Sequence, residues 1–169
     1  RLNPDGSKDT SFDIGLGFND DINSSFDGIY AVTIQPDNKI IIGGSFSEFN
    51  GSPQNRLIRL NPDGSKDTSF DIGLGFDNII REIVLHNDKI YLPGYYSTFN
   101  GSPQNRLIRL NPDGSKDTSF DIGSGPSGGF NFFAQRLVLQ KDDKVIVSGA
   151  FTTFNGSPQN RLIRLNPDG

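Results

Sequence analysis

A fifteen-residue string that occurs three times constrains the fold of this chain more than any other feature. The string reads Asn-Gly-Ser-Pro-Gln-Asn-Arg-Leu-Ile-Arg-Leu-Asn-Pro-Asp-Gly, and its last six residues also open the chain. Equivalent arginines in the four copies are separated by 58, 50 and 55 residues, and they are Arg1, Arg59, Arg109 and Arg164. Periods of this size are typical of propeller blades or solenoid turns and not of coiled coils.

Each period contains strand signals in the same order. An alternating run such as 29–34 predicts a first strand, because every second residue is apolar and shares one face. A polar turn then leads into an apolar run such as 40–42, which predicts a second strand covered on both faces. The Asn-Gly-Ser-Pro loop precedes a third strand at 56–60, and the Asn-Pro-Asp-Gly turn precedes a short fourth strand at 68–72.

Four antiparallel strands in each period, with no helical pattern, predict an all-β chain. The specific expectation is a β-propeller with three four-stranded antiparallel blades, whose ring is closed only by further blades or by self-assembly. A parallel solenoid is disfavoured, because its coils would not need hairpin turns at two places in each period. We expect a single repeat domain over 1–169. Within it, residues 1–14 form the outer strand of a blade completed elsewhere, 15–72 form blade 1, 73–122 form blade 2, and 123–169 form blade 3 without its outer strand.

The repeated residues also carry a family resemblance. The pattern Arg-Leu-Asn-Pro-Asp-Gly-Ser-Lys-Asp-Thr-Ser-Phe, with an upstream Asp/Asn-Lys-Ile-Ile-Ile-Gly-Gly-Ser-Phe, resembles the delta-60 repeat. That family comprises bacterial β-propeller repeats described as a domain of unknown function. All three periods match, and the middle one departs at 93–96, where Pro-Gly-Tyr-Tyr replaces Gly-Gly-Ser-Phe. The resemblance implies no catalytic residues, and it implies an extracellular or cell-surface location, with a cytoplasmic one left open.

Composition excludes several functional classes. The chain has no Cys, which excludes disulfides and thiolate metal sites, and its single His86 cannot build a multi-histidine metal site. A net charge of −4 and scattered basic residues argue against nucleic acid or an anionic membrane as a partner. No apolar run approaches the roughly 20 residues of a membrane helix, so we expect no membrane insertion. We expect no cofactor and no enzymatic activity.

His86 sits at a turn, which predicts an exposed and uninvolved imidazole.

Candidate ligand residues lie in the loops between periods, which are the only segments that vary freely in length. The first loop offers hard oxygen donors of the kind that Ca²⁺ prefers, although no recognised calcium-loop spacing is present. The third loop offers aromatic rings suited to stacking on a sugar or a protein. The candidates are Asp20, Asp21, Asn23, Asp27, Phe130, Phe132 and Phe133.

Other repeated residues have structural interpretations. Arginine on the third strand and aspartate on the fourth, at a fixed offset, predict ion pairs that tie strands or blades together; these residues are Arg59, Arg109, Asp67, Asp71, Asp117 and Asp121. Phenylalanines that recur in register predict a core, and they are Phe12, Phe70, Phe120, Phe49, Phe99 and Phe154. The alternating Asn3, Asp5, Ser7 and Asp9 predict turn chemistry and not a calcium loop.

These observations predict a non-enzymatic structural and interaction module that presents variable loops on one face. The expected partner is a second copy of the chain or the flanking blades of a longer chain. Head-to-tail association would give six blades from two chains or nine from three. Two alternatives stay open: a carbohydrate-binding or adhesive propeller with a glycan or protein on the loop face, and a structural component of an extracellular or viral assembly.

Overall fold

The computed structural model describes residues 1–19, 28–128 and 134–169. Within these ranges the chain forms strands and turns and no helix. The predicted all-β class is therefore confirmed. Since the described ranges contain no helix, they contain none that is long and apolar enough to cross a membrane.

The strands follow the three sequence periods. The first period contains β1 (Phe18–Asn19), β2 (Ile29–Ile34), β3 (Ile40–Gly44), β4 (Glu48–Phe49), β5 (Ser52–Pro53) and β6 (Leu57–Leu60). The second contains β7 (Val84–His86), β8 (Lys89–Pro93), β9 (Thr98–Phe99), β10 (Ser102–Pro103) and β11 (Leu107–Leu110). The third contains β12 (Pro126–Ser127), β13 (Ala134–Leu139), β14 (Val145–Gly149), β15 (Thr153–Phe154), β16 (Ser157–Pro158) and β17 (Leu162–Leu165).

Each period builds one large antiparallel sheet of three strands. The first sheet has the order β2-β3-β6, the second β7-β8-β11, and the third β13-β14-β17. The register is the same in all three, because the arginine of the third strand always lies opposite an equivalent residue of the middle strand. The matched pairs are Ile41 with Arg59, Tyr91 with Arg109, and Ile146 with Arg164.

Two-residue strands build a smaller sheet beside each large one. These sheets have the orders β1-β4-β5, β10-β9 and β12-β15-β16. In the second period the place of the missing strand is taken by a single bridge between Phe76 and Phe99. The small sheets attach the Asn-Gly-Ser-Pro loop to the segment that enters the period.

The expected fourth strand is where the structure differs from the sequence prediction. After the Asn-Pro-Asp-Gly turn, the chain makes only one bridge to the third strand, from Leu60 to Lys66. Asp67 then accepts hydrogen bonds at Oδ1 from the backbone N–H and the hydroxyl of Ser69. This Asx turn curls the chain away from the sheet, so residues 68–72 do not run as a strand. The large sheets therefore have three strands and not four.

The connecting segment that replaces the fourth strand packs between neighbouring large sheets. Phe70 and Ile72 lie in one buried cluster with Ile41 of the first sheet and Ile90 and Leu92 of the second. A corresponding cluster contains Phe120 and Ile122 between the second and third sheets. Five of the six predicted core phenylalanines are buried, and Phe12 packs partly buried against the first sheet. The core thus consists of layers between stacked sheets.

Candidate functional site

The most elaborate polar site in the described residues is the junction where the first period meets the second. Arg59 donates from Nε to Asp67 Oδ2 over 2.6 Å, from Nη2 to the hydroxyl of Ser69 over 3.2 Å, and from Nη1 to the carbonyl of Pro112 over 2.6 Å. Lys39 adds a second cation at 2.9 Å from the same Asp67 oxygen. Arg59 and Asp67 are both buried. One guanidinium therefore joins the turn that follows its own strand to the equivalent turn of the next period.

The junction between the second and third periods repeats this arrangement. Arg109 donates to Asp117 over 2.8 Å, to Ser119 over 2.9 Å and to the carbonyl of Pro167 over 2.8 Å. Lys89 lies 2.9 Å from Asp117. The predicted ion pairs of Arg59 with Asp67 and of Arg109 with Asp117 are confirmed. Asp71 and Asp121 are not in these pairs, because their carboxylates accept backbone N–H groups two residues ahead.

A third copy of the junction lies at the start of the chain. Arg1 donates to the carboxylate of Asp9, to the hydroxyl of Ser11 over 2.8 Å, and to the carbonyl of Pro62 over 3.1 Å. The turn prediction for Asn3, Asp5, Ser7 and Asp9 is also confirmed, since Asp5 accepts from the backbone N–H and hydroxyl of Ser7. Residues 1–6 therefore sit on the segment that follows them in the same way as residues 59–64 and 109–114.

The junction carboxylates are held in the ionised form. Partial burial raises the pKa of Asp67, but hydrogen bonds from Ser69 and Lys39, among others, outweigh it and hold the pKa well below the usual aspartate range. The pKa of Asp117 is lowered in the same way against burial, by Ser119 and Lys89. The hydroxyl of Ser11 and then the guanidinium of Arg1 lower the pKa of Asp9 to about 2.

The sequence pattern predicted the arginine and the aspartate of the first two junctions but neither their lysine nor the pair of Arg1 with Asp9. Lys39 directly precedes β3 and Lys89 is the first residue of β8, and each lies 28 residues before its aspartate. That constant offset between residues of opposite charge was the available signal.

The third sheet presents the same side chains without a covering layer. Leu57 and Leu107 are 0% and 1% exposed, whereas the equivalent Leu162 is 56% exposed. Arg164 is exposed and makes no ion pair with any residue in the described ranges. We define the C-terminal end face as the outward side of this sheet, and its residues are Val138, Ile146, Leu162 and Arg164.

The first sheet is only partly covered on its opposite side, where Ile42 and Ile58 are buried beneath the segment that contains Phe12 but the edge strand β2 is exposed. Val32 on β2 is 61% exposed, whereas Leu137, at the equivalent position of β13, is 4% exposed beneath the second sheet. Ile34, two residues further along β2, is exposed as well. We define the N-terminal end face as Val32 and Ile34.

All seven predicted ligand residues lie outside the described residues. They are Asp20, Asp21, Asn23, Asp27, Phe130, Phe132 and Phe133, and the calcium and aromatic-stacking hypotheses for them stay predictions. Across the ranges that the structure describes, no three or more His, Cys, Asp or Glu side chains are grouped so as to hold a metal ion.

The interpretation of His86 as an uninvolved imidazole is wrong. Its Nε2 lies 2.5 Å from Oδ1 of Asp143, and the side-chain amide of Asn87 donates to the same oxygen over 3.1 Å. The hairpin turns of the second and third sheets become neighbours when the sheets stack, a relation that local sequence does not reveal. This contact ties the two turns together.

An aromatic and cationic stack between the first and second sheets was also not anticipated. The guanidinium carbon of Arg81 lies 5.0 Å from the ring centre of Tyr30 and 5.5 Å from that of Tyr95. Tyr95 stands where the first period has Ser45, so the stack is found between these two sheets and is not part of the repeated pattern. Cation–π contacts of this kind stabilise packing between sheets.

Stacked antiparallel sheets, one from each sequence period and joined by a repeated Arg–Asp junction, define a β-propeller type of repeat protein. The model of the family described as domain of unknown function (DUF5122) beta-propeller matches residues 1–12, 35–70, 87–120 and 140–169. These segments make up more than half of the chain, so the chain belongs to this β-propeller family. The resemblance to the delta-60 repeat is thereby confirmed. A comparison with curated proteins found no match.

Proposed function

We propose that the chain is a non-enzymatic structural module, a β-propeller scaffold of three blades whose end faces pack head to tail against a second copy. Each blade contains one of the large sheets. The single observation that carries the proposal is the exposure of Leu162, since the same residue in the first two sheets is fully covered by the next sheet. An exposed leucine alone is ordinary, but here it continues a surface that is an internal interface twice in the same chain.

The two end faces are complementary. Inside the chain, the face that carries Leu107 packs against the face that carries Leu137. The C-terminal end face offers Leu162 in the first role, and the N-terminal end face offers Val32 in the second. Full burial of a leucine or valine side chain contributes about 1.5–3 kcal/mol, so covering both faces favours association.

A scaffold role accounts for how the charged residues are used. The most buried carboxylates, Asp67 and Asp117, are fully engaged by arginine, lysine and serine and therefore have no free position for a reacting group. The segments that match the family contain these junctions. The loops that lead into the first strand of each large sheet, β2, β7 and β13, lie between the matched segments. This division supports a constant frame that presents variable loops.

The experiment is the solution mass of the chain by light scattering across a wide concentration range. We expect the mass to rise from one chain to a closed assembly of two or three chains, with a strand-type circular dichroism spectrum throughout. The Leu162→Asp variant should remain a single chain, because a carboxylate would have to be buried at the contact. Leu74→Asp is the matched control. Leu74 is more exposed than Leu162 but lies in a connecting segment, so this variant should associate like the wild type.

A mixing experiment tests the head-to-tail polarity. A Leu162→Asp chain keeps an intact N-terminal end face, and a Val32→Asp chain keeps an intact C-terminal end face. Neither should associate alone, and the mixture should form a two-chain complex. A folded wild-type chain that keeps a single-chain mass at every concentration would contradict the proposal.

A further inference from the structure

We infer that the head-to-tail contact exchanges a turn, so that Arg164–Gly169 of one copy takes the seat that residues 1–6 occupy in the next copy. This inference rests on the proposed function and names the residues through which the second copy binds. The two segments have the same sequence, Arg-Leu-Asn-Pro-Asp-Gly. They can therefore make the same contacts in the same seat.

We use the word seat for the set of contacts that holds this turn on the segment that follows it. The seat appears three times within the chain. In each case the arginine reaches the aspartate eight residues ahead, the serine ten residues ahead, and a proline carbonyl of the following period. A backbone bridge joins the leucine to the lysine six residues ahead, at Leu2 with Lys8, Leu60 with Lys66, and Leu110 with Lys116. The seat is thus a built feature of every period and not an isolated contact.

The fourth copy of the turn, at Arg164, differs from the other three. The guanidinium of Arg164 is exposed and makes no ion pair with any described residue. In the next copy, the ionised carboxylate of Asp9 and the hydroxyl of Ser11 supply the missing partners.

Exchange and packing occur together. Arg164 and Leu162 lie on the same face of β17, so a partner that receives Arg164 also brings its N-terminal end face over Leu162. Replacing residues 1–6 by the identical residues of another copy leaves the number of turn contacts unchanged. Burial of the apolar end faces therefore determines whether the associated state is more stable than the single chain. The displaced residues 1–6 return to solvent.

A disulfide trap tests the inference, because the chain contains no cysteine. Within the chain, the backbone N–H of Asn3 donates to the carbonyl of Ser7 over 2.9 Å. This single hydrogen bond closes the turn and brings the two residues side by side across it, and a disulfide needs Cα atoms within about 4.4–6.8 Å. Residue 166 is equivalent to residue 3. We therefore expect a mixture of Asn166→Cys and Ser7→Cys chains to form a disulfide-linked heterodimer on mild oxidation.

The matched control replaces Ser7→Cys by Ser65→Cys. Ser65 is the equivalent residue of an internal seat, and it pairs with Asn61 of its own chain over 2.8 Å. Cross-linking should therefore be much weaker in the mixture of Asn166→Cys with Ser65→Cys. Equal cross-linking in the two mixtures would overturn the inference.

A second measurement does not depend on cysteine. Arg1→Ala weakens the competing turn, so the dissociation constant of the assembly should fall, whereas Arg164→Ala should raise it, each by roughly 3- to 10-fold. Association that responds to Leu162→Asp but to neither arginine would leave the proposed function intact and overturn the exchange. A wild-type chain that never associates would overturn both.

Discussion

At the scale of single residues, each junction depends on one aspartate whose two oxygens have different tasks. Oδ1 of Asp67 accepts from Ser69 and shapes the turn, whereas Oδ2 accepts from Arg59 and Lys39 and joins the periods. Because both tasks belong to one buried carboxylate, the shape of the turn and the packing of the next sheet are coupled. Removing the charge disturbs both.

The Asp67→Asn variant should reveal this coupling as a pH-dependent loss of stability. The amide keeps an acceptor for Ser69 but leaves the buried Arg59 without its counterion, which should cost about 2–4 kcal/mol at pH 7. Since folding lowers the pKa of Asp67, its contribution is fully present above the unfolded value of about 3.9 and is lost as the pH falls below it. Urea midpoints of wild type and variant should therefore differ at pH 7 and converge in acid.

Asp63→Asn is the control for that comparison. Asp63 makes the same turn contacts, to the backbone N–H and hydroxyl of Ser65, but it is exposed and no guanidinium or ammonium pairs with it in the described ranges. The hydrogen bonds from Ser65 lower the pKa of Asp63 as well, but this carboxylate is exposed and holds no buried cation, so the urea midpoint of Asp63→Asn should differ from that of the wild type far less than that of Asp67→Asn. A difference between Asp67→Asn and wild type that persists unchanged at pH 2 would contradict the electrostatic explanation.

At the scale of elements, the Asn-Gly-Ser-Pro loop is fixed by its first residue. The side-chain oxygen of Asn100 accepts the backbone N–H of Leu74 over 3.0 Å, and its own N–H donates to the carbonyl of Gly75 over 2.8 Å. Its φ of 48° lies in the left-handed region, which asparagine tolerates better than most residues. The side-chain oxygens of the equivalent Asn50 and Asn155 accept the backbone N–H of the next residue in the segment, Gly17 and Gly125, and their own N–H groups donate to the carbonyls of the same glycines. This asparagine thus clamps each loop to the segment that enters its period.

Two substitutions at Asn100 separate these contributions. Asn100→Gly loses the amide but keeps access to positive φ, so it should lower the free energy of unfolding by about 0.5–1 kcal/mol. Asn100→Ala also places a Cβ in the left-handed region and should cost about 1 kcal/mol more. Chemical denaturation of the two variants measures the difference. An alanine variant as stable as the glycine variant would show that the backbone conformation relaxes.

Sequence patterns predicted the elements unevenly, for physical reasons. The hairpins were predictable because Asn-Pro-Asp-Gly and the polar first turns state their φ requirements locally, as Asn87 and Asp88 do with φ values of 48° and 59°. The fourth strand was not, since the alternation in Thr-Ser-Phe-Asp-Ile imitates a strand period. The side chain of the preceding Asp67 accepts the backbone N–H of Ser69, which a strand would have needed for pairing. The alternation of apolar and polar residues contains no information about such a side-chain hydrogen bond.

At the scale of the whole molecule, the three large sheets differ in how they are covered. The second sheet is packed on both faces, by the first sheet on one side and by the third on the other. The outer two sheets each have a side that is not covered by another large sheet, and it is exposed at Val32 in the first and at Leu162 in the third. No sequence pattern distinguished Leu162 from Leu57 or Leu107, because the three strands are identical and only the surroundings differ.

Hydrogen exchange should rank the sheets accordingly. In dilute samples, amides of β8 and β11 in the second sheet should exchange more slowly than those of β14 and β17 in the third, because opening the second sheet exposes two packed faces. Mass spectrometry of peptides spanning β8 and β14 can resolve them, since the middle strands differ in sequence. At concentrations where the chain associates, protection of the third sheet should rise toward that of the second. Slower exchange in the third sheet of a monomeric sample would contradict this order.

The identity of β6, β11 and β17, all Leu-Ile-Arg-Leu, bears on how the chain finds its fold. Each could pair with any of the middle strands β3, β8 and β14, so the sequence of the strand does not determine which partner it pairs with. The correct partner is chosen by proximity along the chain, because the shorter loop loses less entropy on closure. In a concentrated solution of unfolded chains this advantage shrinks, and strands of neighbouring molecules become equivalent substitutes. Refolding at high dilution is therefore the condition under which this repeat forms its sheets within one molecule.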